Sequence, residues 1–116
     1  MNISPSGENK FFVRGFQNRQ KLMNHWRNGR THSDEYPDFT MEQYEQRALE
    51  LLEKATDEKI FGHADKNNYL IRYDREENDF AKGHPYKGIV TMFKPIDGEN
   101  YYFRSLKGDI EHGGRK

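Results

Sequence analysis

The chain has 116 residues, of which 33% are apolar, 14% are aromatic and 33% are charged, with 19 basic groups balancing 19 acidic ones. This length suits one domain, and the zero net charge argues against a uniformly basic nucleic-acid binder. The lack of cysteine excludes disulfides, thiolate catalysis and cysteine-bound zinc, and no apolar run reaches the length of a membrane span.

The N-terminal part of the chain predicts one helix between irregular segments. Residues 1–10 are polar and we expect them to be flexible. Aromatic and apolar side chains then recur at roughly helical intervals up to Trp26, which predicts a helix over residues 19–28, ended by Gly29. A loop containing Pro37 follows.

The segment "TMEQYEQRALELLEKAT" carries the clearest helical signal. Thr40 with Gln43 three residues later forms the capping-box pattern that marks a helix start. Apolar residues then fall on one helical face: Tyr44, Ala48, Leu51, Leu52 and Ala55. The pattern predicts an amphipathic helix packed on a core.

From Ile60 onward the apolar period changes to two, which predicts strands. We expect them in "IFGHA", "YLIRYD", "DFAK", "IVTMFKP" and "YYFRSL", with turns between them. The final residues 108–116 predict a flexible tail or a short edge strand. The whole chain, residues 1–116, is therefore predicted as a single α+β domain with N-terminal helices packed on a four- to five-stranded antiparallel sheet.

Histidines are the first candidates for chemistry, because their unperturbed pKa lies near neutrality. Among the five histidines, His25 and His32 flank the end of the first helix. Two imidazoles can act as general base and general acid on a ribose-phosphate backbone without a metal. The alternative is that each is a surface or capping histidine. The spacings of a metal site, a glycine-rich phosphate loop and a serine nucleophile elbow are all missing, so no metal or cofactor is expected.

Two strand residues are the next candidates. Alternation in "YLIRYD" puts Arg72 on the face opposite Tyr69 and Tyr73. An arginine in a mostly apolar strand either pairs with a carboxylate, such as Asp74, or binds an anion. The first explanation is favoured from the strand alone. Thr91 has an equally simple explanation, since threonine is a good strand former.

The order of motifs "KLMNHW", "THSDEYPDFTMEQYEQRALELL", "YLIRYDREENDFAKG", "KGIVTMFKP" and "DGENYYF" resembles a group of small phage-associated and polymorphic-toxin ribonuclease domains. These belong to the barnase–EndoU–colicin–RelE superfamily. The resemblance covers roughly residues 21–103 and rests on motif order, because each motif is short. It implies catalytic positions at His25, His32, Arg72, Thr91 and Tyr101. The two histidines lie further apart here than in the family pattern, so either a short insertion lengthens this loop or only one histidine is equivalent. The resemblance favours His32, because "HSDEYPDFTMEQYE" continues the pattern directly behind it.

The resemblance implies a metal-independent endoribonuclease. A histidine would take the proton of a ribose 2′-hydroxyl, which attacks the adjacent phosphorus, while a second acid, a histidine or a tyrosine, protonates the leaving 5′-oxygen. The products would be a 2′,3′-cyclic phosphate and a 5′-hydroxyl. Arg72 and Thr91 would stabilise the charge on the phosphoryl oxygens. This arrangement requires Arg72 and Thr91 to face one cleft together with a histidine.

The resemblance also implies partners. RNA is the expected substrate, with tRNA as one candidate, and an immunity or inhibitor protein is the expected partner. The site of action would be cytoplasmic, after delivery as the C-terminal part of a larger secreted protein. The alternative, motivated by the zero net charge and the acidic second helix, is a non-catalytic protein- or RNA-binding module of phage origin. A DNase is a weaker alternative, because the metal ligands it needs are missing.

Overall fold

The computed structural model describes residues 10–27 and 32–111, and only the backbone of His32 and Ser33. Within these residues the chain forms α1 (Arg19–Arg27), a 3₁₀ turn (His32–Glu35), α2 (Met41–Glu53), β1 (Ile60–Ala64), β2 (Leu70–Asp74), β3 (Asp79–His84), β4 (Gly88–Phe93) and α3 (Glu99–Glu111). The predicted α+β class, with N-terminal helices and an antiparallel sheet, is confirmed. No helix in the described ranges combines the length and apolar character needed to cross a bilayer.

The four strands form an antiparallel meander in which spatial order follows sequence order. One sheet face packs against α2 and forms the main core, with Ile60, Ala64, Leu70, Ala81 and Met92. We call it the α2 face. The opposite face, the α3 face, packs Ile71, Tyr73 and Phe80 against Tyr102 of α3. Because side chains alternate along a strand, neighbouring residues of one strand belong to opposite faces.

Helix α2 follows its sequence prediction closely. The Thr40 hydroxyl accepts a hydrogen bond from the Gln43 amide at 3.1 Å, and the Gln43 side chain accepts one from the Thr40 amide at 2.8 Å, which completes the capping box. The predicted apolar stripe is buried except for Ala55, which lies beyond the end of the helix at Glu53. Tyr44 of this stripe also reaches the outer edge of β4.

The Tyr44 hydroxyl protects the edge strand. It donates to the Met92 carbonyl oxygen at 2.5 Å and accepts from the Met92 amide at 3.1 Å. Further along β4, the Ile89 amide donates to the Gly15 carbonyl oxygen at 2.8 Å. Backbone groups of an uncovered edge invite pairing with another chain, so these contacts close that route at both ends of β4.

The prediction of a fifth strand in "YYFRSL" is wrong, because this segment lies within α3. Aromatic runs favour strands, which explains the error. The helical signal is the pair Tyr102 and Leu106, four residues apart, which pack together against the α3 face. The helix also includes residues 108–111, which the sequence predicts as part of a flexible tail. The remaining residues predicted to be flexible, 1–9 and 112–116, lie outside the described residues.

A buried carboxylate joins the elements at one end of the sheet. Asp79 of β3 accepts hydrogen bonds from Tyr36 at 2.8 Å, from Lys94 at 2.9 Å, and from the Nε and Nη2 atoms of Arg47 at 3.1 and 3.0 Å. Arg47 Nη2 also donates to Asp74 at 2.7 Å. Burial alone would raise the pKa of Asp74, but the Arg47 hydrogen bond and two backbone amides hold that pKa below its usual value.

We expect the Asp79→Ala variant to lower the free energy of unfolding by about 1–3 kcal/mol, because it leaves the buried Tyr36 hydroxyl without its acceptor, whereas the partly buried Arg47 keeps Asp74. Urea denaturation followed by circular dichroism measures this loss. The matched control is Asp97→Ala, which removes an exposed carboxylate paired with Arg104 and should cost less than about 1 kcal/mol. Equal losses in the two variants would contradict the assigned role of Asp79.

Candidate functional site

The structure separates the two strand residues that the resemblance places in one site. Arg72 pairs with Ala81, and Ala81 pairs with Met92, so Arg72 belongs to the α2 face. Thr91 precedes Met92 and pairs with Lys82, which puts it on the α3 face. The expected convergence of Arg72 and Thr91 on one cleft is therefore wrong.

Arg72 is buried beneath the end of α2, where its exposed fraction is 0%. Its Nε donates to the carbonyl oxygen of Lys54, the C-cap residue of α2, at 2.9 Å, and its Nη1 donates to the Ile71 carbonyl oxygen at 3.0 Å. The side chain fills the space above Gly62, where an added Cβ would lie 2.4 Å from Nη1. Burial lowers the pKa of Arg72 to about 10. In this position Arg72 supports the helix end and cannot touch a substrate.

Thr91 and Tyr101 do share a cleft, of about 510 Å³, which Glu35 and Lys94 also line. The Tyr101 ring stands edge-on to Phe93 at a centroid distance of 5.2 Å. His32 begins the 3₁₀ turn that carries Glu35, but its side chain lies outside the described residues, so its place relative to this cleft stays a prediction. None of the other described histidines lines the cleft.

His25 lies in a different groove, of about 430 Å³, between α1, the β3–β4 hairpin and the start of β2. Lys21 and His25 line it from α1, and Tyr69, Lys87 and Val90 line it from the sheet. We call this the basic groove. The strand register shifts between Lys82 and Gly83, which leaves Val90 as the additional residue of a bulge. Bulges of this kind redirect side chains at the ends of sheets.

The backbone sets the tautomer of His25. Its Nδ1 lies 3.2 Å from the carbonyl oxygen of Lys21, and a carbonyl oxygen only accepts, so Nδ1 carries the hydrogen in this contact. The neutral ring then has its lone pair on Nε2, the nitrogen needed by a general base. Phe16 packs against the ring at a centroid distance of 5.2 Å and limits its orientation.

His84 has the opposite tautomer. The Tyr86 amide donates to its Nδ1 at 3.1 Å, so the hydrogen of the neutral ring is on Nε2. Burial lowers the pKa of His84, and the neighbouring charge of Lys87 lowers it further, which favours the neutral ring at neutral pH. His84 packs edge-on against Tyr69, with ring centroids 5.1 Å apart. It therefore adds a neutral hydrogen-bond donor beside the basic groove.

Two lysines surround the same tyrosine. The ammonium nitrogens of Lys82 and Lys87 lie 5.5 and 5.6 Å from the centroid of the Tyr69 ring, within the range of cation–π attraction. Lys82 also lies 3.7 Å from a carboxylate oxygen of Asp65. Ammonium groups beside an aromatic face bind the two parts of an unpaired nucleotide, its phosphate and its base.

A third histidine, His63, is buried under α3 in a hydrogen-bonded chain. Its Nε2 lies 2.6 Å from the Asp109 carboxylate, and its Nδ1 lies 3.0 Å from the Tyr102 hydroxyl. Burial raises the pKa of Tyr102 to about 12, so this hydroxyl is a poor acid at neutral pH. These two hydrogen bonds connect His63 of β1 to Tyr102 and Asp109 of α3 and help to hold the helix on the sheet.

Among the residues in and beside the basic groove, the sequence singles out His25 but not Lys21, Tyr69, His84 or Lys87. The sequence feature that could have indicated these residues is "GHPYKG", in which a histidine, a tyrosine and a lysine lie close together in one hairpin. As a phosphate-binding glycine loop this segment lacks the strand-to-helix context, so the motif alone predicts no site. Its partners lie on α1 and before β2, and no local pattern predicts that they meet.

Comparison with known proteins assigns no family to this sequence. The sequence matches no protein-family model, and no curated protein is significantly similar to it. The resemblance to the ribonuclease superfamily therefore stays a prediction, and function is inferred from the geometry of the site.

We expect Arg72→Met to lower the free energy of unfolding by about 1–3 kcal/mol, because it removes the side-chain donor to the Lys54 carbonyl oxygen. Chemical denaturation measures the change. The matched control is Arg75→Met, which alters an exposed arginine of the same hairpin and should cost less than about 1 kcal/mol. An Arg72→Met protein as stable as the wild type would show that Arg72 does not support the helix end.

Proposed function

We propose that this chain binds single-stranded RNA in the basic groove. The observation that supports this proposal is the cluster of Lys82 and Lys87 around the Tyr69 ring, with Lys21 and His25 lining the same groove from α1. The lysines attract the phosphates of a nucleotide chain.

The composition and shape of the groove favour a single strand over a duplex. RNA duplexes present a regular backbone along an extended surface, whereas unpaired bases enter small aromatic sites. The chain has zero net charge, so its attraction to RNA is confined to a local cluster.

We further propose that the bound strand is cleaved without a metal, as the resemblance to the ribonuclease superfamily implies, but with a different residue set. His25 Nε2 takes the proton of a 2′-hydroxyl, and the resulting oxygen attacks the adjacent phosphorus. The bond to the 5′-oxygen breaks, and this oxygen takes a proton from water. Lys21 and Lys87 stabilise the charge on the phosphoryl oxygens, and His84 Nε2–H adds a neutral donor.

The products are a 2′,3′-cyclic phosphate and a 5′-hydroxyl.

Motif order alone supports the remaining parts of the proposal: membership of the superfamily, tRNA as one candidate substrate, and action in the cytoplasm as a delivered toxin or phage effector. It equally supports an inhibitor protein that protects the producing cell. His25 is the residue shared by the resemblance and the groove.

Binding is tested with a fluorescently labelled, unstructured RNA oligomer and the double variant Lys21→Ala/Lys87→Ala. We expect wild-type affinity to fall with salt, and the log–log salt slope to shrink by about 0.7 for each phosphate that the variant no longer neutralises. A matched control is Lys59→Ala/Lys107→Ala, which removes two exposed lysines outside the groove. A DNA oligomer of the same sequence distinguishes RNA from any single strand.

Unchanged affinity in the double variant would exclude the groove as the binding site. No binding by the wild-type protein would overturn the proposed function as a whole. Equal binding to RNA and DNA would widen the ligand class to single-stranded nucleic acid.

Cleavage is tested by incubating bulk RNA with the protein in excess EDTA and determining the fragment ends by mass spectrometry. We expect 2′,3′-cyclic phosphate and 5′-hydroxyl ends, and a loss of about 100-fold or more in rate for His25→Ala. The His25→Ala protein, purified in parallel, controls for a contaminating nuclease, and the Lys59→Ala protein, which should keep full activity, controls for the effect of a substitution outside the groove. Loss of cleavage in EDTA would contradict the metal-independent mechanism, and full activity in His25→Ala would exclude His25 as the base.

Binding without cleavage by the wild-type protein would leave the chain as a non-catalytic RNA-binding module. Binding and cleavage can therefore be judged separately, because the binding experiment tests Lys21 and Lys87 and the cleavage experiment tests His25.

A further inference from the structure

An exposed aromatic pair lies next to the basic groove. The rings of Phe12 and Tyr86 stack on each other with centroids 4.9 Å apart and an interplanar angle of 12°. Even so, each side chain is 51% exposed. Most large aromatic side chains in the described residues lie in the two cores, so the exposure of two stacked rings at one place favours a binding role.

The pair is held in place by the backbone. The amides of Phe12 and Val13 both donate to the Pro85 carbonyl oxygen, at 2.9 and 3.0 Å, and join the N-terminal segment to the β3–β4 hairpin. The Tyr86 amide is held by His84 Nδ1. Two rings positioned in advance lose little conformational freedom when a ligand stacks on them.

The pair continues into the basic groove through a row of rings. Tyr86 lies 6.0 Å from His84, and His84 lies 5.1 Å from Tyr69. Lys87, the residue after Tyr86, places its ammonium group over the Tyr69 ring. An aromatic surface therefore lies next to a group that attracts phosphate, just as a base lies next to a phosphate in a nucleotide chain.

We propose that the Phe12–Tyr86 pair is a stacking site for an unpaired nucleobase of the strand whose phosphate binds at Lys87. This inference rests on the proposed function and specifies its ligand: a strand with at least one base free to leave its neighbours. The adjacent positive charge favours a polyanion over a protein segment as the occupant.

The test compares two ligands of equal length: an unstructured RNA oligomer and a ribose-phosphate oligomer without bases. The variants are Tyr86→Leu and Phe12→Leu, which keep an apolar side chain but remove a ring. We expect each to weaken binding of the RNA oligomer by about 5- to 100-fold, the contribution of one stacked base, and to leave binding of the base-free oligomer unchanged. The control Phe103→Leu changes an exposed aromatic residue of α3 and should affect neither ligand.

A second measurement uses only the wild-type protein, so it does not depend on a variant that folds. We expect a 2-aminopurine base placed in the RNA oligomer to lose fluorescence on binding, because stacking on an aromatic ring quenches it. Absence of quenching at every position of the oligomer would overturn the inference.

The outcomes separate this inference from the proposed function. Unchanged RNA affinity in both ring variants would overturn the stacking site while leaving the groove intact. Equal weakening for both ligands would also overturn it, because the rings would then act through the phosphate contacts. If the wild-type protein binds neither ligand, the proposed function fails and this inference fails with it.

Discussion

The Asp79 carboxylate is the group on which the arrangement of this domain depends. A buried carboxylate is costly unless several donors replace its hydration, and here Tyr36, Arg47 and Lys94 all donate to it. These donors come from the loop before α2, from α2 itself and from the residue after β4. Satisfying one charge therefore fixes α2 across the sheet, and the same helix brings Tyr44 onto the edge of β4. With the α2 face closed in this way, its buried side chains, Arg72 among them, are out of reach of a ligand.

The closed face explains why Arg72 is a structural residue. Alternation along β2 correctly puts Arg72 opposite Ile71 and Tyr73, but alternation does not reveal which face a helix will cover. Both faces of this strand are buried, one by α2 and the other by α3. A motif that is typical of an anion site can therefore serve as a support for the last turn of a helix. The resemblance implies a phosphate contact at Arg72, and the burial of this side chain under α2 excludes that contact.

Local signals predict most of the fold and little of the candidate site. The capping box and apolar stripe define α2, and the period-two pattern defines β1 to β4, because these signals come from contacts within a few residues. The α3 prediction fails because the aromatic residues in "YYFRSL" favour strands, whereas the docking of Tyr102 on the sheet decides the outcome. The basic groove joins α1, the residue before β2 and the β3–β4 hairpin, and no pattern within one segment indicates that they meet.

The two histidines beside the groove differ because backbone groups assign their tautomers. A carbonyl oxygen faces His25 Nδ1, so a neutral His25 ring has its lone pair on Nε2, whereas an amide faces His84 Nδ1, so a neutral His84 ring has its hydrogen on Nε2. The backbone amide of Tyr86 donates to Nδ1 of the neutral His84, so the position of Tyr86 depends on the protonation state of His84. Protonation of His84 would remove the acceptor of the Tyr86 amide and so weaken a contact that positions the Phe12–Tyr86 pair. The burial and the Lys87 charge that lower the pKa of His84 therefore also keep the exposed ring pair in place near neutral pH.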